Sequence, residues 1–382
     1  MNFTKCKIVD VCDIYQPHTI STKEMVCDGK YNVYGANGII GKYDKYNHEE
    51  SEVVMACRGA TCGALNITEP FSWINGNAMV IKPNGSIPVL QKYLYYFLLF
   101  SNKDGIITGT AQPQITRSNM SDFSIYLCDT DTQQRIVSKI EELFSKLDKG
   151  VEELNKIKEQ LKIYRQTIFS NIINSYEGTN AKLCDVSDTI DGDRGKNYPK
   201  QGEFSCEGYC LFLTAKNVRP FGWKFDDKTF ITKEKDNILR NGKMQLNDVV
   251  ITTRGTLGNV AVYDETVPYE NVRINSCMLI IRPQTESITP NFLAYYLMSP
   301  MFQLQIEKLK SGTAQPQIPA NVLKEIELSL PSINNQKIIV GKLQEHLSVC
   351  DKIEQTVNES LQKAESLRQS ILKQAFEGKL IY

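Results

Sequence analysis

The run QQRIVSKIEELFSKLDKGVEELNKIKEQLKIYRQTIFSNIINSY, Gln133 to Tyr176, holds no proline and one internal glycine, Gly150. Its apolar residues Ile136, Ile140, Leu143, Leu147, Leu154, Ile157, Leu161, Tyr164 and Ile168 follow in steps alternating between four and three, with Gly150 filling the one gap. That spacing predicts one long helix with the narrow stripe of a left-handed coiled coil, not the broader buried face of a globular helix. Some forty residues at about 1.5 Å each make a helix roughly 60 Å long, which cannot hide its seam alone.

The partner lies in the same chain. At an offset of 203 the seam returns, with Leu343 for Ile140, Cys350 for Leu147, Val357 for Leu154, Ala364 for Leu161 and Ile371 for Ile168. Arg165-Gln166-Thr167-Ile168 is answered by Arg368-Gln369-Ser370-Ile371. The second seam row is mixed in the later copy (His346, Ile353, Ser360, Leu367), which weakens it without moving its register. Two like helices in one chain most simply pack on each other, and an antiparallel pair is expected.

The repeat extends beyond the helices, and its period is that of a domain, far longer than a solenoid unit. Val53-Val54-Met55-Ala56-Cys57-Arg58-Gly59 parallels Val249-Val250-Ile251-Thr252-Thr253-Arg254-Gly255, each a short apolar strand ending in arginine-glycine. A second strand closes on Lys82-Pro83 in one half and Arg282-Pro283 in the other, and a short aromatic helix follows (Leu90 to Leu99; Phe292 to Phe302). The closest match is Gly109-Thr110-Ala111-Gln112-Pro113-Gln114-Ile115 against Gly312-Thr313-Ala314-Gln315-Pro316-Gln317-Ile318. Runs of β-branched residues between glycine and asparagine turns predict mixed α and β globular halves. The expected class is α+β: two mixed α/β domains joined by two long helices in an antiparallel coiled coil, a pseudo-two-fold internal repeat. The expected boundaries are 1–130, 131–178, 179–332 and 333–382.

With 44 basic and 44 acidic residues in 382, no charge signature points to a polyanion, unless the cations gather on one face. The eleven cysteines include no C-x2-C pair, so reduced thiols are expected and no metal site. The longest apolar run, Tyr93 to Phe100, is far short of the twenty or so residues of a membrane span, and no signal core follows the N-terminus. A soluble, cytoplasmic protein is expected, with no membrane partner. The three histidines have no cysteine or carboxylate spaced for a triad, and there is no G-x4-G-K-[ST] phosphate loop. No catalytic residue is assigned.

Two variable domains alternating with two long helices, each domain closing on G-T-A-Q-P-Q-I, resemble the specificity subunit of bacterial type I restriction–modification systems. A Q-[RK]-I start to each helix (Gln134, Gln336) and the late R-Q-[ST]-I segment complete the pattern, which covers essentially the whole chain. The resemblance implies that each globular domain is a target recognition domain reading one half of a bipartite, asymmetric site in double-stranded DNA. It implies that the coiled coil spaces the readers and docks two modification (adenine methyltransferase) subunits, with restriction subunits joining outside. It also places S-adenosylmethionine on those methyltransferase subunits, with no cofactor in this chain; the N-P-P-[FY] and D-P-P-[YF] segments that hold a flipped adenine are absent.

Under that reading Thr110, Gln112 and Gln114, with Thr313, Gln315 and Gln317, are candidate DNA-binding residues, because a glutamine amide can grip a base edge bidentately. The loop barely differs between halves that read different sequences, so phosphate contact, or anchoring of the domain to its own helix, is weighed above base reading. Arg58 and Arg254 end strands where a long cation reaches a phosphate; pairing with a carboxylate of the same domain is the alternative. Base readers belong where the halves differ: Asn32, Tyr34, Asn37, Lys42 and Tyr43 in the first, Lys216, Asn217, Arg219 and Trp223 in the second. Two other classes compete with this reading, an S-like adaptor of another defence system and a coiled-coil scaffold that reads no sequence.

Overall fold

The computed structural model describes residues 3–109, 112–220, 222–309 and 317–381. The two long helices span Thr130–Asn174 and Ile333–Phe376. The chain divides into two compact units, 1–155 with 358–382, and 156–357. Each cut falls inside a long helix, and the two cuts, after Asn155 and after Val357, lie at almost equivalent places in the repeat. The expected boundaries separate domains from helices, whereas each compact unit takes in a domain with part of both helices. Each unit pairs the beginning of one long helix with the end of the other, which is the antiparallel arrangement.

In the first unit the strand Thr4–Lys7 pairs with Ser124–Leu127 and hands the chain to the first long helix. A four-stranded sheet follows in the order Cys12–Tyr15, Ala78–Pro83, Val53–Ala56, Leu65–Ile67. A three-stranded sheet has the order Gly38–Tyr43, Tyr31–Gly35, Trp73–Ile74, its last pair parallel. The second unit repeats the plan. Thr179–Lys182 pairs with Glu327–Leu330; the four strands are Ser187–Asp191, Met278–Pro283, Val249–Thr252 and Val260–Val262; the three are Phe230–Ile231, Cys210–Leu213 and Val272–Ile274. It adds a small hairpin, Val218–Arg219 with Gly222–Trp223.

One strand expected from Ile74 to Pro83 is two. Asn75 breaks it, because its buried amide binds both N–H and C=O of Ile20, and the chain crosses there from one sheet to the other. The aromatic helix of the second unit is also two, Pro290–Met298 and Pro300–Leu309, since Pro300 cannot continue the first. Lys82 reaches the buried Glu52 at 2.8 Å and Arg282 the buried Asp248 at 2.8 Å, so these strand-end cations hold neighbouring strands together.

The pattern Q-[RK]-I aligned Gln134 with Gln336, but the constant offset pairs Gln133 with Gln336, and the contacts follow the offset. Gln133 is fully buried. Its Oε1 accepts the Leu90 N–H (2.9 Å) and its Nε2 donates to Pro88 O (3.0 Å) and Cys128 O (2.9 Å). Gln336 takes the Thr289 N–H (2.8 Å) and donates to Ser287 O and Pro331 O, both at 2.9 Å. Each glutamine joins the start of a long helix to the approach of the aromatic helix, satisfying backbone groups that no helix or strand bond reaches.

Of the expected seam, Ile140, Leu161, Ile168, Leu343, Cys350, Val357 and Ile371 are buried, and Leu147, Leu154 and Ala364 half-buried. The other row is not a seam along its length. Ile136 and Ile339 are covered by the apolar clusters of their own domains, but Ile157, Tyr164, Ile353 and Leu367 are exposed. Two helices share one line of contact, and beyond the domains no described residue buries the second row. The R-Q-[ST]-I arginines flank the contact. Arg165 binds Asp351 (2.8 Å) and Glu354 (2.9 Å), and its repeat mate Arg368 binds Asp148 while stacking over Phe144, 4.5 Å from the ring centre. The carboxylates are largely exposed, so each pair contributes at most about 1 kcal/mol and sets register more than stability.

Gly150 is exposed, with open space where a Cβ would sit. Gly150→Ala is expected to stabilise the first unit by about 0.5–1 kcal/mol, read as a higher urea midpoint at unchanged slope.

Candidate nucleic-acid interface

The ends of three strands in the first unit meet at one edge. Tyr31–Gly35 and Trp73–Ile74 run parallel and finish together, the Asn75 N–H bonding Tyr34 O at 2.9 Å. The link through Asn77 then bonds the Cys57 N–H at 3.1 Å, where Val53–Ala56 ends and Arg58 begins. Gly59 and Gly63, with φ of +83° and +89°, turn the chain back through the left-handed region that glycine enters freely.

The glutamine loop is fastened to this turn. Arg58 and Gln114 form an antiparallel bridge, Gly59 N–H bonds Pro113 O (3.0 Å) and Ile115 N–H bonds Cys57 O (3.0 Å). Thr108 and Gln114 exchange backbone bonds of 2.9 and 2.8 Å that close the loop, and the buried Ile115 anchors it. The second unit repeats the bridge, Arg254 with Gln317, and the bond from Ile318 N–H to Thr253 O (3.0 Å). Among the described residues the loop is therefore fastened to the arginine turn of its own domain, and no bond from it to its own helix is found. Thr110, Thr313 and Gln315 lie outside the described residues.

The side chains of Gln112, Gln114 and Gln317 are exposed, with no hydrogen bond to other described residues. Arg58 is exposed and Arg254 half-exposed, and neither forms an ion pair among the described residues, so the intradomain carboxylate partner is not found. Each edge thus presents a guanidinium without an ion pair among the described residues, beside glutamine amides without a hydrogen bond to other described residues. That set suits phosphate oxygens and base edges.

Other candidates divide. Asn37 and Lys42 are exposed, and Arg219 is exposed on its hairpin. Tyr43 packs edge-on to Trp73. Asn32 binds Glu69 at 2.7 Å and Lys216 binds Asp227 at 3.2 Å. Tyr34 is a core residue whose hydroxyl accepts the Glu69 N–H. Asn217 is buried; its amide takes the Thr214 N–H and donates to Lys224 O and Asp227 O, so it shapes its loop and has no group left to offer a base. Trp223 donates its indole N–H to Val262 O at 2.7 Å and stacks on Phe225.

Sequence reasoning missed Arg194, whose guanidinium sits between Asp191 (3.1 Å) and Ser276 O (3.3 Å) at the second unit's edge. The glycine-flanked basic run Gly192-Asp193-Arg194-Gly195-Lys196 was its signal.

Gly109, at φ +87°, has the Gln112 carbonyl oxygen 2.5 Å from where a Cβ would stand. Gly109→Ala is expected to undo the loop at a cost of about 1–2 kcal/mol of local strain and weaken DNA retention at the first half-site, with the far-UV spectrum unchanged. Footprinting of both half-sites checks it.

Among the described residues no helix is long and apolar enough to cross a membrane. The family described as type I restriction modification DNA specificity domain matches residues 1–162 and 179–363. The chain is 33% identical over 150 residues to the EcoBI specificity subunit of Escherichia coli, covering 39% of this chain and 31% of that protein. It is 24% identical over 375 residues to the MjaVIII specificity subunit of Methanocaldococcus jannaschii, covering 91% of this chain and 84% of that one. A chain from a structure on complex assembly and conformational transition of the type I R-M system shares the fold at a TM-score of 0.76 and 16% identity, over 99% of this chain and 98% of that one. With both repeats matched, this chain belongs to the type I restriction–modification DNA-specificity family.

Proposed function

We propose that this chain is the non-catalytic DNA-specificity subunit of a type I restriction–modification complex, each unit reading one half of a bipartite, asymmetric site. The observation that carries the reading is the repeated edge: an arginine turn bridged to a glutamine loop, the same in both units, beside hairpins that differ. Shared groups suit the phosphate backbone common to all sites, and differing groups suit the bases. Two modification subunits bring S-adenosylmethionine and methylate adenine, restriction subunits join outside, and the assembly works in the cytoplasm. With no net charge here, much of the phosphate contact comes from the modification subunits.

The test is methylome sequencing of cells carrying this chain with its methyltransferase. One split motif is expected, and none from this chain alone. Methyl transfer by the isolated chain overturns the reading. Half-site centres are expected about one helical turn apart, roughly 34 Å. Inserting a heptad into each long helix adds about 10 Å, so the unread spacer should lengthen by about three base pairs; an unchanged spacer denies the helices that role.

A further inference from the structure

The hairpin Tyr31–Gly35 with Gly38–Tyr43 ends in the turn Ala36-Asn37, and it projects from the edge that carries Arg58 and the glutamine loop. Its tip is apolar. Ile39 is 54% exposed and Ile40 48%. Ile40 has a place in the fold, since its side chain lies over Gly35, where a Cβ would stand 2.7 Å from it. Ile39, opposite Tyr34 in the register, packs into none of the apolar clusters of the first unit. A large β-branched side chain left half in water forgoes the gain that burial would bring. Ile39 shares its hairpin with the exposed Asn37 and Lys42 and its edge of the domain with Arg58, which has no ion pair among the described residues, and such polar and cationic neighbours suit a nucleic-acid backbone.

We propose that Ile39 is an apolar wedge that enters a base step of the half-site read by the first unit and unstacks it. Isoleucine is among the apolar side chains that, inserted between base pairs, partly unstack a step and kink the duplex. A base that is to be modified must leave the stack, so a wedge on the specificity subunit lowers the cost of presenting it. The inference rests on the reading of this chain as a DNA-specificity subunit. At the corresponding place the second unit has the turn Thr214–Asn217 and a different hairpin, so the wedge belongs to the first half-site.

The experiment uses the full chain assembled with its methyltransferase subunits on a duplex bearing the split site, with 2-aminopurine walked through both half-sites. Wild type is expected to show a fluorescence rise at one step of the first half-site. Ile39→Ala should lower that rise about tenfold with the footprint intact, Ile39→Leu should restore it, and the second half-site should not change. An undiminished rise with Ile39→Ala on an intact footprint overturns the wedge alone, as does loss of the first footprint in Ile39→Ala. Absence of any wild-type footprint overturns the DNA reading as well.

Discussion

Asp236→Ala is expected to destabilise the second unit by about 3–5 kcal/mol, because it strands a buried arginine. Asp236 and Arg273 have side chains 6% and 7% exposed, with Arg273 Nε 2.5 Å from Asp236 Oδ1. The same guanidinium donates to Asn241 O (2.7 Å), Asp236 O (2.8 Å) and Leu239 O (3.0 Å), while Lys243 approaches the other carboxylate oxygen at 2.5 Å. Removing the carboxylate leaves the cation with carbonyls alone. Asp236→Leu combined with Arg273→Met should recover much of the loss, since a packed apolar pair needs no desolvation of charge.

The same site gives the unit a pH dependence. Burial pushes the Asp236 carboxyl up, but the bonds from Lys243 and Arg273 outweigh it and hold the group below the usual carboxylate range. A carboxyl that releases its proton more readily when folded stabilises fully above the unfolded value near 4, and that contribution drains as pH falls through the folded value. Trp223 is the one tryptophan of the second unit, so urea melts in a Trp73→Phe background report on it. The wild-type midpoint should drop between pH 6 and pH 3 by more than that of Asp236→Ala. Equal drops would deny the carboxylate this role.

Arg58→Ala with Arg254→Ala is expected to lower DNA affinity by about eightfold for each contact near 0.1 M salt, and to reduce the salt slope by about 0.9 each. Neither guanidinium has an ion pair among the described residues, and each stands beside a fastened glutamine loop. Because the turns are alike, the loss should be the same whatever bases flank the contact. Affinity titrated across salt concentration checks this, and an unchanged slope would mean neither arginine reaches a phosphate. Gln112→Ala, Gln114→Ala and Gln317→Ala should leave the preferred sequence unaltered, consistent with contacts shared by both half-sites.

Much of this was legible in the residues. Helix periodicity is local, so the long helices, their offset of 203 and the strands before Arg58 and Arg254 could be read directly. The glutamine loops could be marked because they recur, though not what they are fastened to. Recurrence also misled: matching Q-R-I to Q-K-I selected Gln134, whereas the group that joins helix and domain is Gln133, one residue away and fully buried. A short pattern does not reveal which glutamine faces inward.

The sequence by itself determined the doubled plan of domain and helix, the like seams of the two helices, and the family. Only the tertiary structure decided which polar side chains are left free. Tyr34, Asn217 and Trp223 look like readers in a list of residues, yet each has its polar atom bound within its own domain, while Arg58 and Arg254 have no ion pair among the described residues and Ile39 stays exposed. The reason is physical: periodicity depends on neighbours along the chain, whereas a free donor or an exposed isoleucine depends on groups far away in sequence that fold against it or fail to.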